Sequence, residues 1–334
     1  MASCTRAAKH TAALILLVLL VFQPSYAWWD TGHILINRVA AEKVPASMPD
    51  FLRKAADRIA YLGPEPDRWR SSTEAALKYS QEPDHFLDME RVAEVQKFPR
   101  DRYDYYRLLY AKRIAAAANG DDFLPEKVGL QPYITIEIYD RLKVAFREYR
   151  RLKQENKPTD GVEQNIVFYA GWLGHYVGDG SQPLHTTINY NGWVGENPNG
   201  YTTSKEFHGE FEGRFVERVL PQIEIANLVH DPVLLEHPFD DYMQYLRDSN
   251  KLVEKLYQIE KAGGFKETGT PESRELLRQR LGAGAQMLLN LWYTAWLESA
   301  KPLPPPPPRP PQPCAQPPCP AQAQPASPPR QPSN

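Results

Sequence analysis

The stretch Asn165-Ile166-Val167-Phe168-Tyr169-Ala170-Gly171-Trp172-Leu173-Gly174-His175-Tyr176-Val177-Gly178-Asp179 decides the fold. It is apolar on nearly every side at helical spacing, which marks a central buried helix rather than a surface one. Its last turns carry a histidine and an aspartate four residues apart. Residues i and i+4 share a helix face, so His175 and Asp179 can hold one cation together. Gly180 to Pro183 then ends the helix and brings His185 back toward the same place.

Helical periodicity recurs on both sides, over residues 33–44, 49–62, 102–118, 134–153, 205–220, 241–261 and 272–300. Alternating β-branched runs bounded by turns hardly occur. Residues 62–72, which begin with the Gly63-Pro64 breaker, and residues 180–204 are rich in Gly, Pro and polar side chains and read as loops. The expected architecture is a single all-α, multi-helix domain over residues 28–300.

The ends differ from this body. Residues 1–27 read as a secretory signal: Arg6 and Lys9 without an acid, an apolar run from Ala12 to Phe22, and the small-x-small site Ser25-Tyr26-Ala27. Nothing later resembles a spanning segment, so the mature protein is expected outside the cytoplasm, secreted or periplasmic. Of 32 prolines in the 334 residues, 16 fall in residues 301–334, a tail without Gly, aromatic or acidic residues. Such a segment cannot build a core and reads as a disordered, polyproline-like spacer whose partner the sequence does not name. It holds Cys314 and Cys319, and the only other cysteine is Cys4 in the leader. An exported body without a disulfide needs a large core, bound metal, or both. That body has 34 basic against 41 acidic residues, a net charge of −7, which excludes a general electrostatic binder of nucleic acid.

Metal is the strongest chemical signal. His208 and Glu212 form a second i,i+4 pair, and His33 and His85 add two more imidazoles. Two such pairs plus a returning histidine are poorly explained as core histidines. Imidazole and carboxylate without thiolate suit zinc. The donors exceed what one four-coordinate ion can use, so a multinuclear site with a bridging carboxylate is expected. His230 and His237 lack helical pairing and read as surface residues.

These residues fall into a pattern: Trp28-x-x-x-Gly32-His33, Asp67-x-x-Arg70, His85-Phe86-x-Asp88, His175-Tyr-x-Gly-Asp179-x-x-Gln182-Pro183-x-His185 and His208-x-x-x-Glu212. The pattern, which runs from Trp28 to about Trp296, resembles the zinc-dependent bacterial phospholipases C and the S-one/P-one type nucleases. The resemblance implies three zinc ions and a mature chain beginning at Trp28, whose free α-amine and carbonyl bind zinc. It implies Asp67, His85, His175 and Asp179 around one ion, Trp28, His33 and a bridging Asp179 around a second, and His185, His208 and Glu212 around the third. Asp57 and Asp84 are nearby acids, and the Asp-x-x-Arg context favours Asp67 over them. The implied reaction is phosphoester hydrolysis by zinc-activated hydroxide, with Asp67 and Asp179 at its centre and Arg70 contacting the phosphate.

The substrate branch is mixed. The spacings Trp28 to His33 and His185 to His208, and Arg70 after Asp67, resemble the nucleases. In them the counterparts of Phe86 and Asp88 stack on a base and bond its edge. Glu212, the absence of body cysteines, and Trp29 where those nucleases have glycine depart from them; glutamate at position 212 is phospholipase-like. The expected function is a single-strand-preferring nuclease or 3′-nucleotidase, acting on single-stranded nucleic acid or nucleotides. The alternative is a phospholipase C acting on phospholipid head groups, although no obvious lipid-inserting helix stands out. A more distant alternative is a non-catalytic exported zinc or interaction protein whose proline tail does the work. If the α-amine is a ligand, residues added before Trp28 will lower activity by about tenfold or more; an unimpaired extended protein would contradict it.

Overall fold

The computed structural model describes residues 28–70, 73–116 and 122–302. The expected signal and the proline-rich tail from residue 303 onward, with Cys314 and Cys319, lie outside the described residues. The described chain is all-α, without a strand. Its principal helices are α1 Trp29–Glu42, α2 Ala56–Leu62, α3 Glu65–Arg70, α4 Ala75–Gln81, α5 Arg102–Ala116, α6 Gln131–Gln154, α7 Asp160–Ser181, α8 Pro238–Asn250, α9 Val253–Lys261 and α10 Pro271–Glu298. No described helix is long and apolar enough to cross a membrane.

Helix α7 contains the stretch that opened the sequence reading and lies at the centre. Helices α1, α2, α6, α8 and α10 all pack on it. From Ala170 to Ser181 only Trp172 escapes full burial. Three glycines one turn apart, Gly171, Gly174 and Gly178, face α1 and α2. A Cβ on Gly174 would fall 1.8 Å from Asn37 Oδ1, and one on Gly178 would fall 2.8 Å from His33 Nδ1. These glycines are therefore what allows α1 to lie against the ligand-bearing end of α7. Asn37 fastens the contact: its buried Nδ2 donates to Ile59 O at 2.9 Å on α2 and to Gly171 O at 3.0 Å on α7.

Four segments depart from expectation, the first being residues 49–62, which divide at Ala55 into a short helix Phe51–Lys54 and α2. Residues 62–72 are not a plain loop but contain α3. Pro64 stops α2 yet is well suited to precede a new helix, because its missing N–H costs nothing there. Residues 241–261 break into α8 and α9, and at the break Asn250 Nδ2 donates to Thr186 O at 2.8 Å. Residues 205–220 form a short helix Phe207–Gly209, a π-helical stretch Glu210–Phe215 and a last turn Val216–Val219. The wider π stretch is a common local adjustment at functional sites.

Gly174→Ala will destabilise the protein by about 1–3 kcal/mol, since Asn37 and α1 must move aside. Thermal unfolding measures this, and an unchanged Tm would contradict the close packing of α1 on α7.

Candidate metal centre

The sequence-selected ligands converge. His33 comes from α1, Asp67 from α3, and His175 and Asp179 from α7. His85 ends the turn Glu82–His85, and His185 lies on the turn Pro183–Thr186. His208 and Glu212 straddle the start of the π stretch. All eight are buried, and none is more than 8% exposed. His230 and His237 are exposed and lie apart, as expected.

Three groups of potential ligand atoms form: His33, Asp67 and His175; His85, His175 and Asp179; and His185, His208 and Glu212. In the second, His85 Nδ1 lies 3.0 Å from Asp179 Oδ2 and 3.0 Å from His175 Nε2, which is itself 3.3 Å from Asp179 Oδ2. Donors on a tetrahedral zinc are about 3.3 Å apart at ordinary bond lengths, so the spacing fits that ion. Asp67 Oδ1 stands 3.8 Å from the same His85 nitrogen and 3.9 Å from the same His175 nitrogen. The other oxygen of Asp179 faces elsewhere, 3.4 Å from His33 Nε2 and 3.7 Å from His185 Nδ1. In the last group, Glu212 Oε1 is 3.1 Å from His185 Nε2 and Oε2 is 2.6 Å from His208 Nε2.

Many of these atoms lack the hydrogen bond that burial ordinarily demands. His33 Nδ1 and Nε2, Asp67 Oδ2, His85 Nε2, Asp179 Oδ1 and His185 Nε2 are buried without one. Meanwhile the opposite ring nitrogens are tied down. His175 Nδ1 donates to Gly63 O at 2.8 Å and His185 Nδ1 to His85 O at 2.7 Å, turning Nε2 of each ring inward. Carbonyls that orient an imidazole in this way are the usual outer support of a metal ligand. The residues present therefore fit a group of divalent cations.

Known proteins were compared with the chain. Two clostridial toxins are similar to it. One is the alpha toxin from Clostridium absonum, with a TM-score of 0.47 and 13% identity over 81% of this chain and 65% of the toxin. The other is the Clostridium perfringens alpha-toxin isolated from avian strain SWCP, with a TM-score of 0.42 and 13% identity over 83% of this chain and 65% of the toxin. No protein-family profile and no curated protein matches the chain. This chain spans 65% of the length of each toxin, and at that superposition the likeness says nothing about chemistry.

Electrostatics separate the groups. Burial alone would raise Asp179, but the His175 and His185 imidazoles outweigh it and hold the carboxyl well below its ordinary range. Burial likewise opposes ionisation of Glu212, yet His208 and His185 bring it down to about 2. His185 goes the other way: burial would lower it, and Asp179 and Glu212 raise it to about 9. Burial pushes His85 well down, with Arg70 adding to the effect. Burial raises Asp67 against the pull of Arg70 and His175.

The acids near Asp67 are used otherwise. Asp57 is exposed and pairs with Arg38 at 2.6 Å, while Asp84 pairs with Arg102 at 3.3 Å. Arg70 donates to Asp67 Oδ1 at 2.9 Å and also lines the cleft above the cluster. That cleft, about 1150 Å³, is bordered by His85, His185 and His208 and by the predicted substrate residues Phe86 and Asp88. Trp28 is fully buried and sits at φ 44°, left-handed backbone that is unusual for a bulky residue. Its indole anchors it: Nε1 donates to Gly178 O at 2.8 Å, next to Asp179. Gly32 makes room for it, since a Cβ there would lie 2.9 Å from Trp28 Cβ.

Gln182, part of the sequence pattern, has its role shown only by its contacts. Its buried Nε2 donates to Glu212 Oε1 at 2.5 Å while its Oε1 accepts from Leu184 N at 3.1 Å, so it aims Glu212 and the His185 turn together. Its place directly after the helix that ends in Asp179 was the available signal.

Metal uptake will release protons from this site. His185, raised to about 9, carries a proton at neutral pH in the metal-free protein, and a cation must displace it. Zinc affinity will therefore climb as pH rises from 7 toward 9, and loading in weak buffer will acidify the solution. A pH-independent affinity measured by calorimetry would contradict this.

Proposed function

We propose that the protein is a zinc-dependent hydrolase of phosphodiesters. The observation that carries this is the placing of the three donor groups: buried, short of hydrogen bonds, and opening through His85, His185 and His208 onto one cleft that Arg70 shares. In this reading Asp67, His85, His175 and Asp179 hold one ion, His185, His208 and Glu212 a second, and His33 with the shared Asp179 a third. The amine and carbonyl of Trp28, freed by removal of the leader, would complete the third site. Bound zinc would supply Lewis acidity and make water nucleophilic near neutral pH.

The chain's own groups do the rest. Arg70, held by Asp67, presents a guanidinium to an entering phosphate. Asp88 lines the cleft, is raised to about 7 by burial, and can therefore hold a proton at neutral pH. Gln182 keeps Glu212 turned toward His185 and His208.

Of the two substrate classes, phospholipid is the better supported. Two of the cleft's arginines are paired, Arg91 lying 3.3 Å from Asp88 and Arg102 bonded to Glu137 and Asp84, while Arg70 on Asp67 and the lysines Lys78 and Lys127 also line it. Together with a body charge of −7, that pairing reduces the attraction for a polyanion. A nuclease or 3′-nucleotidase remains the second reading, and Phe86 and Asp88 beside His85 are the observation that favours it. A phospholipase C and a nuclease both cleave phosphodiesters, whereas a 3′-nucleotidase cleaves a phosphomonoester; all of them hydrolyse a phosphate ester.

An activity panel on the zinc-loaded protein tests this: phosphatidylcholine, single-stranded DNA and RNA, and a 3′-mononucleotide. The expected result is cleavage of phosphatidylcholine that chelation abolishes. Cleavage of nucleic acid alone would select the second reading. Inactivity on all of them would leave a non-catalytic zinc protein.

A further inference from the structure

Helix α5 carries apolar residues on two faces, one packed on the core and one turned to solvent. Tyr105 and Leu109 pack inside, while Tyr103, Tyr110 and Ile114, at i, i+7 and i+11, face solvent. Tyr103 is 66% exposed and Ile114 80%. Helix α4 adds Leu77 and Tyr79, the latter 71% exposed. Five of the twelve large apolar side chains exposed among the described residues thus lie on these two helices, which meet at one cleft wall through Tyr79 and Tyr110.

The place of this surface says what meets it. Tyr79 and Tyr110 belong both to the exposed face and to the wall of the cleft that opens over the metal donors. Whatever lies on the face therefore borders the reaction site. Most cations of the face are paired with acids, with Lys78 of α4 exposed beside them. Each basic residue of α5 is paired with an acid: Arg102 with Asp84 and Glu137, Arg107 with Asp104, Lys112 with Glu94 and Arg113 with Asp122. Neutralised cations suit a zwitterionic surface and do not suit a strand of phosphates. Ile114 and Leu77 offer aliphatic surface, which base stacking does not use. Tyrosine, apolar in body and polar at its tip, is the side chain favoured where hydrocarbon meets water.

We propose that the outward face of α4 and α5 docks the protein on a zwitterionic lipid surface, with the cleft mouth against it. This rests on the phosphodiesterase reading only for its biological sense; docking itself is a separate physical property. No sequence signal announced it, because alternating tyrosine, arginine and isoleucine do not read as a lipid-inserting helix.

The test uses the full zinc-loaded chain with phosphatidylcholine vesicles, and compares it with Y103S/I114S. Both residues lie outside the cleft lining and both are exposed, so the fold is spared. Sedimentation with vesicles will show binding that added salt does not weaken, and the double variant will partition roughly tenfold less or worse. Hydrolysis of a soluble phosphodiester, bis(p-nitrophenyl) phosphate, will be unchanged. Vesicle binding equal in variant and wild type, or absent in both, would overturn the proposal. So would salt-sensitive binding of single-stranded DNA that the variant loses in place of vesicle binding. Vesicle binding that follows the prediction with no hydrolysis by either protein would support docking and refute the hydrolase reading.

Discussion

An ionised carboxylate in a fully buried position is the constraint on which the rest depends. Asp179 is enclosed on all sides, and a lone charge there would cost far more than the fold could supply. It stays ionised because imidazoles from separate elements surround it, His85 and His175 on one oxygen, His33 and His185 on the other. Helix α7 can bring it there only because its other faces are apolar and one face is glycine. That glycine face admits Asn37 and His33 from α1 at distances no side chain would permit. Packing and chemistry are thus the same problem: the helix that forms the core is the helix that carries the shared ligand.

Around that centre the chain supplies three buried carboxylates, Asp67, Asp179 and Glu212, and five imidazoles. The orphaned nitrogens and oxygens would be expensive in a dry core and useful to cations, and backbone carbonyls of Gly63 and His85 hold two of the rings at fixed angles. On the cleft above, Arg91 and Arg102 are paired with nearby acids, while Arg70 holds its guanidinium on Asp67 beside the donor groups. Tyr79 and Tyr110, exposed on the wall of the cleft, add apolar surface to it.

Much of this was legible in the sequence. The 165–179 stretch named the central helix through its apolarity, and i,i+4 spacing named His175 with Asp179 and His208 with Glu212. Features that depend on long-range geometry were not. Helix α3 was hidden because Gly63-Pro64 ends one helix and begins another with the same two residues. The π-helical stretch after His208 leaves no compositional mark. Gln182 reads as an ordinary polar residue until its amide is seen on Glu212. The outward stripe of α5 was invisible because periodicity reports two apolar faces of a helix without saying which one the core takes.

The most direct measurement of the central claim is zinc content per chain for the wild type and Asp179→Asn. The account predicts three ions in the wild type and, because one oxygen of Asp179 faces His85 and His175 while the other faces His33, loss of two in the variant, with the His185, His208 and Glu212 group still loaded. Unchanged zinc content in the variant would contradict the bridging role of Asp179 and with it the arrangement described.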